Sequence, residues 1–235
     1  MPKINSIVVI LIHHSTIYAM QIKSFTFNPF MENTYVLYDE TKEAVIIDPG
    51  CHEKSEKAAL MEFIKENRLV PVKLLNTHCH IDHVLGNAFV KTTYDIPLWF
   101  HRDELPILES IPAYASNYGF ANYQPSQPDH FISEGEVIKF GKVALKTLFV
   151  PGHSPGHLVF YHEPSKVCIA GDTLFDGSIG RTDLPGGDHD TLLRYIKKNL
   201  FELPDEVEVY PGHGPSTQIG KEKDSNPFVG KLARF

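Results

Sequence analysis

The stretch "LLNTHCHIDHVLGN", residues 74–87, constrains the fold more than any other part of the chain. An apolar run stops at Asn76, and three histidines and one aspartate follow closely. A short apolar run that ends in this way is typical of a buried strand. The pattern therefore predicts a strand whose carboxyl end opens onto a polar site. The candidate site residues in this stretch are His78, His80, Asp82 and His83.

The same pattern recurs at three later positions of the chain. The segments "FVPGHSPGH", "CIAGDTLF" and "VYPGHGP" place His153, Asp172 and His213 directly after apolar runs. Ligands of open α/β sheets gather at the carboxyl ends of strands. The flanking glycines allow tight turns that point short side chains into a site. We therefore expect these residues to meet the first cluster.

Hydrophobic periodicity predicts alternating strands and helices, which indicates an α/β fold in one domain. Three strands are predicted within residues 21–48. Further strands are predicted at 72–75, 96–100, 137–140, 143–150, 158–163, 167–171 and 206–210. Predicted helices cover residues 53–69, 83–94 and 190–201, the last capped by Asp188 or Asp190.

Residues 112–130 lack a clean period and carry four aromatic side chains among Pro, Ser, Asn and Gln. Such a segment is typical of an irregular loop that overhangs a site. The alternative is a surface loop that its own aromatic residues pack down.

The residue types indicate a metal centre. Histidine and aspartate without softer ligands suit zinc, iron or manganese. In the pattern H-x-H-x-D-H, the first two histidines lie two apart on an extended segment, so both can point to one side. The chain then turns into a helix, which directs the next aspartate and histidine toward a neighbouring position. We therefore expect two divalent ions, zinc foremost, with iron or manganese as alternatives.

The net charge argues against two classes of main partner. The chain of 235 residues has a formal net charge of −7, which argues against nucleic acid or an anionic membrane as its main partner. Its three cysteines are odd in number and scattered, which favours a reducing compartment and therefore the cytoplasm. No pattern in the sequence indicates an oligomeric state.

The first 20 residues differ from the rest. The apolar segment "INSIVVILI" is too short to span a bilayer and weakly resembles an export signal. Two alternatives are a natural start at Met20 and an added edge strand. We expect residues 1–20 to be an extension without functional weight, and residues 21–235 to form a single domain.

Together, the motifs "THCHIDH", "PGHSPGH", "AGDTLF" and "YPGHG" resemble those of the metallo-β-lactamase superfamily, in the usual order and spacing, over residues 21–228. The resemblance implies a four-layer αββα sandwich with a metal site at one edge. It also implies that one ion is bound by His78, His80 and His153, that the other is bound by Asp82, His83 and His213, and that Asp172 bridges them.

Each assignment has a plainer alternative. The first four residues could lie in a solvated polar loop, and the later three could have turn or capping roles. His157 is either a support for a ligand or a structural histidine, and Cys79 is expected to be a small buried filler.

The bridging Asp172 resembles the hydrolase branches of the superfamily and makes antibiotic hydrolysis an unfavoured prediction. The stretch "GDTLFDGSIGRTDLPGGD" resembles short bacterial glyoxalase II-like proteins, that is, hydroxyacylglutathione hydrolase-like proteins, and also persulfide dioxygenases. Full-length glyoxalase II has a C-terminal helical domain that helps hold glutathione, and we expect none here. Arg181 falls where the resemblance implies a contact with a substrate carboxylate, and the alternative is an internal pair with Asp183.

We therefore predict a metal-dependent hydrolase that acts on a small-molecule thioester. A hydroxide shared by two metals would attack the carbonyl, with Asp82 and Asp172 orienting the water. An alternative is a mononuclear iron dioxygenase that acts on glutathione persulfide. A non-catalytic metal-binding protein is less favoured, because structural zinc sites are normally closed and four-coordinate.

Overall fold

The computed structural model describes residues 20–231 and residue 233, and its main elements are two six-stranded β-sheets. The first half contains, in chain order, β1 (Gln21–Phe27), β2 (Glu32–Tyr38), β3 (Glu43–Ile47), α1 (Lys54–Glu66), β4 (Val70–Leu75), α2 (Ile81–Val84), α3 (Asn87–Tyr94), β5 (Leu98–His101), α4 (Leu105–Ser110) and β6 (His130–Ile132). The second half contains β7 (Val137–Phe140), β8 (Val143–Phe149), β9 (Leu158–His162), β10 (Val167–Gly171), β11 (Leu174–Phe175), β12 (Ser178–Ile179), α5 (His189–Tyr195), β13 (Glu208–Pro211), β14 (Thr217–Gln218) and α6 (Ile219–Ser225).

The strand order brings the candidate residues to one edge. The first sheet follows chain order, β1 to β6, and is parallel from β3 onward. The second has the order β14-β13-β10-β9-β8-β7, in which β10 and β13 are parallel and β8 and β10 each run antiparallel to β9. The carboxyl ends of β8, β10 and β13 therefore lie at the same edge, and the loops that carry His153, Asp172 and His213 follow them.

The core shows four layers. Successive side chains of a strand point to opposite faces, so each sheet packs on two sides. Tyr35 and Leu37 of β2 pack with Phe160 of β9 between the sheets. Their neighbour Val36 packs on the other face, with Leu60 of α1. The outer face of the second sheet likewise packs against α5 and the helical turn that follows it. The expected αββα sandwich is thus confirmed, and each fully buried Leu or Phe contributes roughly 1.5–3 kcal/mol.

The prediction of one continuous helix over residues 83–94 was wrong. The chain forms α2 and α3, with a break at Leu85 and Gly86. A Cβ on Gly86 would lie 2.6 Å from the sulfur of Cys51, so the backbone passes too close to that residue for a larger side chain. The predicted helix over 190–201 is formed by α5 and a π-helical turn at Ile196–Leu200 that follows it. Asp188 caps α5, because its carboxylate accepts from the backbone N–H of Thr191.

The segment over residues 112–130 is irregular, as predicted. It contains short 3₁₀ turns at Ile111–Ala113 and Ala115–Tyr118 and no regular strand before β6. Phe120 is buried in the core, whereas Tyr118 is 57% exposed and its ring lies 6.0 Å from that of Phe30. The helices α4 and α6 were not predicted, because six and seven residues are too few to show a helical period.

The predicted extension over residues 1–20 lies outside the described residues except for Met20. The side chain of Met20 is buried between the sheets. Among residues 20–231 and 233, no helix has the length and apolar character that crossing a bilayer requires.

Candidate metal centre

Three histidines form the first cluster, which we call the three-histidine cluster. His78 and His80 follow β4, whereas His153 follows β8 of the other sheet. Nδ1 of His80 lies 2.8 Å from Nε2 of His153, and Nε2 of His78 lies 3.3 Å from the same nitrogen. One ring nitrogen of each converges within 4.8 Å of the others. The edge where the two sheets meet therefore brings together ligands that are far apart in sequence.

Asp82, His83 and His213 form the second cluster, which we call the mixed cluster. The start of α2 carries Asp82 and His83, and the turn after β13 carries His213. Oδ2 of Asp82 lies 3.1 Å from Nε2 of His213 and 3.7 Å from Nε2 of His83. The side chain of His213 is 28% exposed, whereas His78 is completely buried, so this cluster is the more open of the two.

Asp172 lies between the clusters. Its Oδ2 is 3.7 Å from Nε2 of His153 and 3.5 Å from Nε2 of His213, and its Oδ1 is 3.5 Å from Nε2 of His83. Gly212 makes this approach possible, since a Cβ there would lie 2.1 Å from Oδ1 of Asp172. One carboxylate thus faces both clusters.

Hydrogen bonds behind the rings fix which nitrogen faces inward. Nδ1 of His153 donates to the carbonyl oxygen of Arg181 at 2.8 Å, and Nδ1 of His213 donates to that of Phe30 at 3.0 Å. A carbonyl oxygen only accepts, so each Nδ1 carries the proton and each Nε2 presents a lone pair when the ring is neutral. Such outer contacts commonly orient metal-binding histidines.

Asp48 supports both clusters and was missed by the sequence analysis. Its carboxylate accepts from the backbone N–H of Thr77 at 2.7 Å and from the Thr77 hydroxyl at 2.5 Å, and it lies 3.2 Å from Nδ1 of His83. The Thr77 hydroxyl oxygen in turn lies 3.1 Å from Nδ1 of His78. The signal was present, because Asp48 follows the apolar run of β3 just as the other site residues follow theirs.

Glu104 is a second residue that the sequence analysis missed. This fully buried carboxylate accepts from the backbone N–H groups of Cys79 at 2.8 Å and Gly156 at 2.6 Å, and from the Ser154 hydroxyl at 2.6 and 2.7 Å. Cys79 lies between His78 and His80, whereas Ser154 directly follows His153. One side chain therefore fixes the loop from the first sheet against the loop from the second.

His157 supports Asp172. Its Nε2 accepts from the backbone N–H of Asp172 at 3.0 Å, and its ring stacks on that of His78 with 4.8 Å between centroids. Cys79, predicted to be a buried filler, is completely buried.

The pKa values of the histidines shift in opposite directions in the two clusters. Burial lowers the pKa of His78 well below its ordinary value and that of His80 to about 3, with neighbouring histidines adding to the effect. Burial alone would also lower the pKa of His83, but the carboxylates of Asp82 and Asp172 raise it well above its ordinary value. Hydrogen bonding to Asp82 likewise raises the pKa of His213 against the effect of burial.

The residues fit divalent cations. In the three-histidine cluster, where the rings are neutral, Nε2 of His153 faces Nε2 of His78 across 3.3 Å and Oδ2 of Asp172 across 3.7 Å. Lone pairs that face one another in this way repel unless positive charge lies between them. Nε2 of His83 and Oδ1 of Asp172 are buried and have no hydrogen-bond partner among the described residues. An unpaired buried polar atom is costly, and a cation in contact with both would remove that cost.

Arg181 reaches the centre through its backbone rather than its side chain. Its carbonyl oxygen holds His153, as described above. Its guanidinium is 62% exposed and makes two hydrogen bonds to Asp183, at 2.6 and 2.7 Å. The internal pair considered from the sequence is therefore formed, and the guanidinium lies at the surface beside the centre.

Comparison with known proteins identifies the family. The model of the metallo-β-lactamase superfamily matches residues 27–213. The chain belongs to this superfamily. Hydroxyacylglutathione hydrolase GloC of Haemophilus influenzae is 39% identical over 212 residues, which cover 89% of this chain and 98% of GloC.

Two solved structures of superfamily proteins are also similar. The crystal structure of BLEG-1 B3 metallo-beta-lactamase is 38% identical, with a TM-score of 0.80, and the match covers 89% of this chain and 99% of BLEG-1. That of TTHA1623 in a di-iron-bound form is also 38% identical, with a TM-score of 0.79 and coverage of 88% and 100%. Together with the clusters described above, these matches show a metal-dependent hydrolase of the metallo-β-lactamase superfamily.

Proposed function

We propose that the protein is a thioester hydrolase of the glyoxalase II type with two divalent ions. The observation that carries the proposal is the position of Asp172, whose two oxygens face the three-histidine cluster and the mixed cluster. In this proposal His78, His80 and His153 would hold one ion, Asp82, His83 and His213 would hold the other, and Asp172 would be shared by both. The similarity to GloC supports the thioester substrate, and the di-iron form of TTHA1623 supports the two-ion centre.

When bound, two divalent ions would lower the pKa of a shared water and polarise the thioester carbonyl. Asp82 and Asp172 would orient this water by accepting its hydrogen bonds. The carboxylate of Asp48 and the carbonyl oxygen of Arg181 accept from Nδ1 of His83 and His153, which would keep Nε2 of each ring facing inward. The water adds to the carbonyl carbon, the carbon–sulfur bond breaks, and the products are a carboxylate, a thiol and one released proton. Because a thiolate is a good leaving group, no separate acid is required.

The open face of the mixed cluster is the side from which substrate would enter. Asp82 and His213 are partly exposed, whereas His78 is buried. The exposed Arg181 guanidinium would pair with a carboxylate of the thiol part after release from Asp183. This role of Arg181 depends on breaking an exposed ion pair, which costs little.

The deciding experiment is hydrolysis of S-lactoylglutathione by the metal-loaded protein, followed as released thiol, with a chelator-treated sample as control. We expect fast release that the chelator abolishes. A β-lactam belongs in the same assay, because one similar structure is named a B3 metallo-beta-lactamase. A persulfide with measured oxygen uptake tests the iron dioxygenase alternative. Hydrolysis of the β-lactam alone, or oxygen uptake alone, would overturn the proposal.

A further inference from the structure

Large apolar side chains are exposed at the mouth of the metal centre. Phe30 is 40% exposed, Met31 63% and Tyr118 57%. The carbonyl oxygen of Phe30 accepts from His213, which places this residue beside the mixed cluster. The rings of Phe30 and Tyr118 lie 6.0 Å apart. We call these three residues the apolar wall. Exposed apolar side chains grouped beside a site are typical of ligand-binding surfaces.

The backbone that presents Phe30 and Met31 is strained and firmly held. Asn28 and Met31 have φ angles of 53° and 59°, in the left-handed region that is unfavourable for a side chain such as that of Met. The Asn28 amide donates to the carbonyl oxygens of Gly50 at 3.1 Å and Asp82 at 3.0 Å. The side-chain oxygen Oδ1 of Asn28 accepts from the backbone N–H of Phe30 at 3.0 Å. A tight turn tied to the backbone of Asp82 thus holds two apolar side chains in water, and strain of this kind clusters at ligand sites.

The opposite part of the wall is also anchored. Tyr118 ends a 3₁₀ turn whose first residue, Ala115, is buried in the core. Phe120 is buried just beyond it, and its ring lies 6.0 Å from that of Phe30. The two loops therefore form one surface, with Phe120 as the buried contact between them.

A cation lies beside the apolar wall, next to Tyr118. The guanidinium of Arg181 is exposed, and its pKa is raised by the adjacent Asp183 carboxylate and, to a smaller extent, by Tyr118. A substrate at the metal centre would thus meet apolar surface at Phe30 and a cation at Arg181. In the proposed function the thiol part bears the carboxylate that pairs with Arg181. The apolar wall is then left for the acyl part.

We infer that the preferred thioester carries an apolar acyl group, aromatic or branched aliphatic, which packs on Phe30, Met31 and Tyr118. This inference rests on the proposed thioester hydrolysis and names the class of acyl group. A small hydrophilic acyl group such as lactoyl would leave the wall exposed to water.

The test uses S-lactoylglutathione and S-mandeloylglutathione, which keep the same thiol and α-hydroxyl and differ by a methyl against a phenyl group. The kcat/KM of the metal-loaded protein is measured for both and divided by the rate of hydroxide-driven hydrolysis of each thioester. We expect the mandeloyl ester to be favoured by about tenfold or more, since one methylene in an apolar pocket changes kcat/KM roughly 10–200-fold.

Substitutions in the wall locate the preference. In Phe30→Ala and Tyr118→Ala, the mandeloyl value falls more than the lactoyl value, so the ratio moves toward one. Val70→Ala is the matched control, because Val70 is 56% exposed but begins β4, at the end opposite the metal centre. It should keep the wild-type ratio.

The outcomes separate the two proposals. Equal corrected values for both esters in the wild type overturn the inference about the acyl group and leave thioester hydrolysis standing. Hydrolysis of neither ester overturns the proposed function and the inference with it. A preference that survives both wall substitutions in folded proteins, checked by melting temperature, overturns the assignment to these residues. The wild-type ratio tests the preference for an apolar acyl group even if a variant fails to fold.

Discussion

The three-histidine cluster and the mixed cluster share Asp172 but are built differently. The first is buried and neutral, because burial keeps the pKa values of His78 and His80 low. The second is open and charged, because carboxylates raise the pKa values of His83 and His213. The difference favours a division of roles, in which the first cluster would retain its ion and the second would face the substrate. Substitutions that remove the shared group, or a group of one cluster alone, test that division of roles.

Asp172→Ala should remove the group that the two clusters share. We expect kcat/KM for thioester hydrolysis to fall on the order of 1,000-fold or more, because loss of one preorganised polar group at a reacting centre already costs roughly 100–1,000-fold. Metal content, measured by elemental analysis, should fall with it. Full activity in this variant would contradict the two-ion centre.

Glu104→Gln should affect the three-histidine cluster alone. An amide has only one acceptor oxygen, so a backbone N–H of Cys79 or Gly156 would face an NH₂ group. The loop that carries His78 and His80 would then no longer be fixed against the loop that carries His153. We expect the affinity of this cluster for Co²⁺ to fall by roughly 10–100-fold, the usual effect of removing an outer-shell partner. The Co²⁺ absorption spectrum distinguishes the two clusters during titration.

The control for Glu104→Gln is Asp39→Asn. Asp39 is also a buried carboxylate, and it accepts from the backbone N–H groups of Thr41 and Lys142. It follows β2 at the end opposite Glu32, which bridges to His213, so it lies away from the centre. If both variants lose Co²⁺ affinity equally, the effect of Glu104 is general destabilisation rather than positioning.

Metal uptake should depend on pH in the mixed cluster and not in the three-histidine cluster. His83 and His213 have pKa values above the ordinary histidine pKa of about 6.5, so their rings hold protons at higher pH than a free histidine does. An ion that binds must displace these protons, so its affinity rises with pH. His80, with a pKa of about 3, has no proton to lose near neutral pH. Titration calorimetry in buffers of different ionisation enthalpy measures this proton release.

Two variants assign the released protons. His80→Ala impairs the three-histidine cluster and should keep the proton release, whereas His213→Ala impairs the mixed cluster and should lose much of it. Equal release from both variants would contradict the difference between the clusters.

Arg181→Ala should have the smallest effect. Its carbonyl oxygen, not its side chain, holds His153, so metal content and kcat should not change. We expect KM for a carboxylate-bearing thioester to rise about twofold to fivefold, the scale of an exposed ion pair. Asp183→Asn frees the guanidinium and should lower KM instead. A fall in metal content in Arg181→Ala would show that the side chain does more than contact substrate.

The sequence predicts the fold and the candidate ligands because each ligand carries a local signal. His153, Asp172 and His213 all follow apolar runs and lie in glycine-containing turns. The role of Glu104 had no such signal, since it depends on contacts with Ser154 and Gly156 that only the packed sheets create. The break between α2 and α3 was missed for the same reason, because it follows from the close approach of Gly86 to Cys51.

The origin of the ligands in both sheets has a consequence for how the chain matures. A ribosome synthesises the first sheet, with His78 and His80, before His153 and His213 exist. Domains fold as units during synthesis, so neither cluster is complete until β8 and β13 have docked. An ion that binds only the complete centre stabilises the finished sandwich and not the earlier half. Metal uptake would thus be the last step of folding and would stabilise only the complete domain. A chain stalled before His213 would lack the mixed cluster.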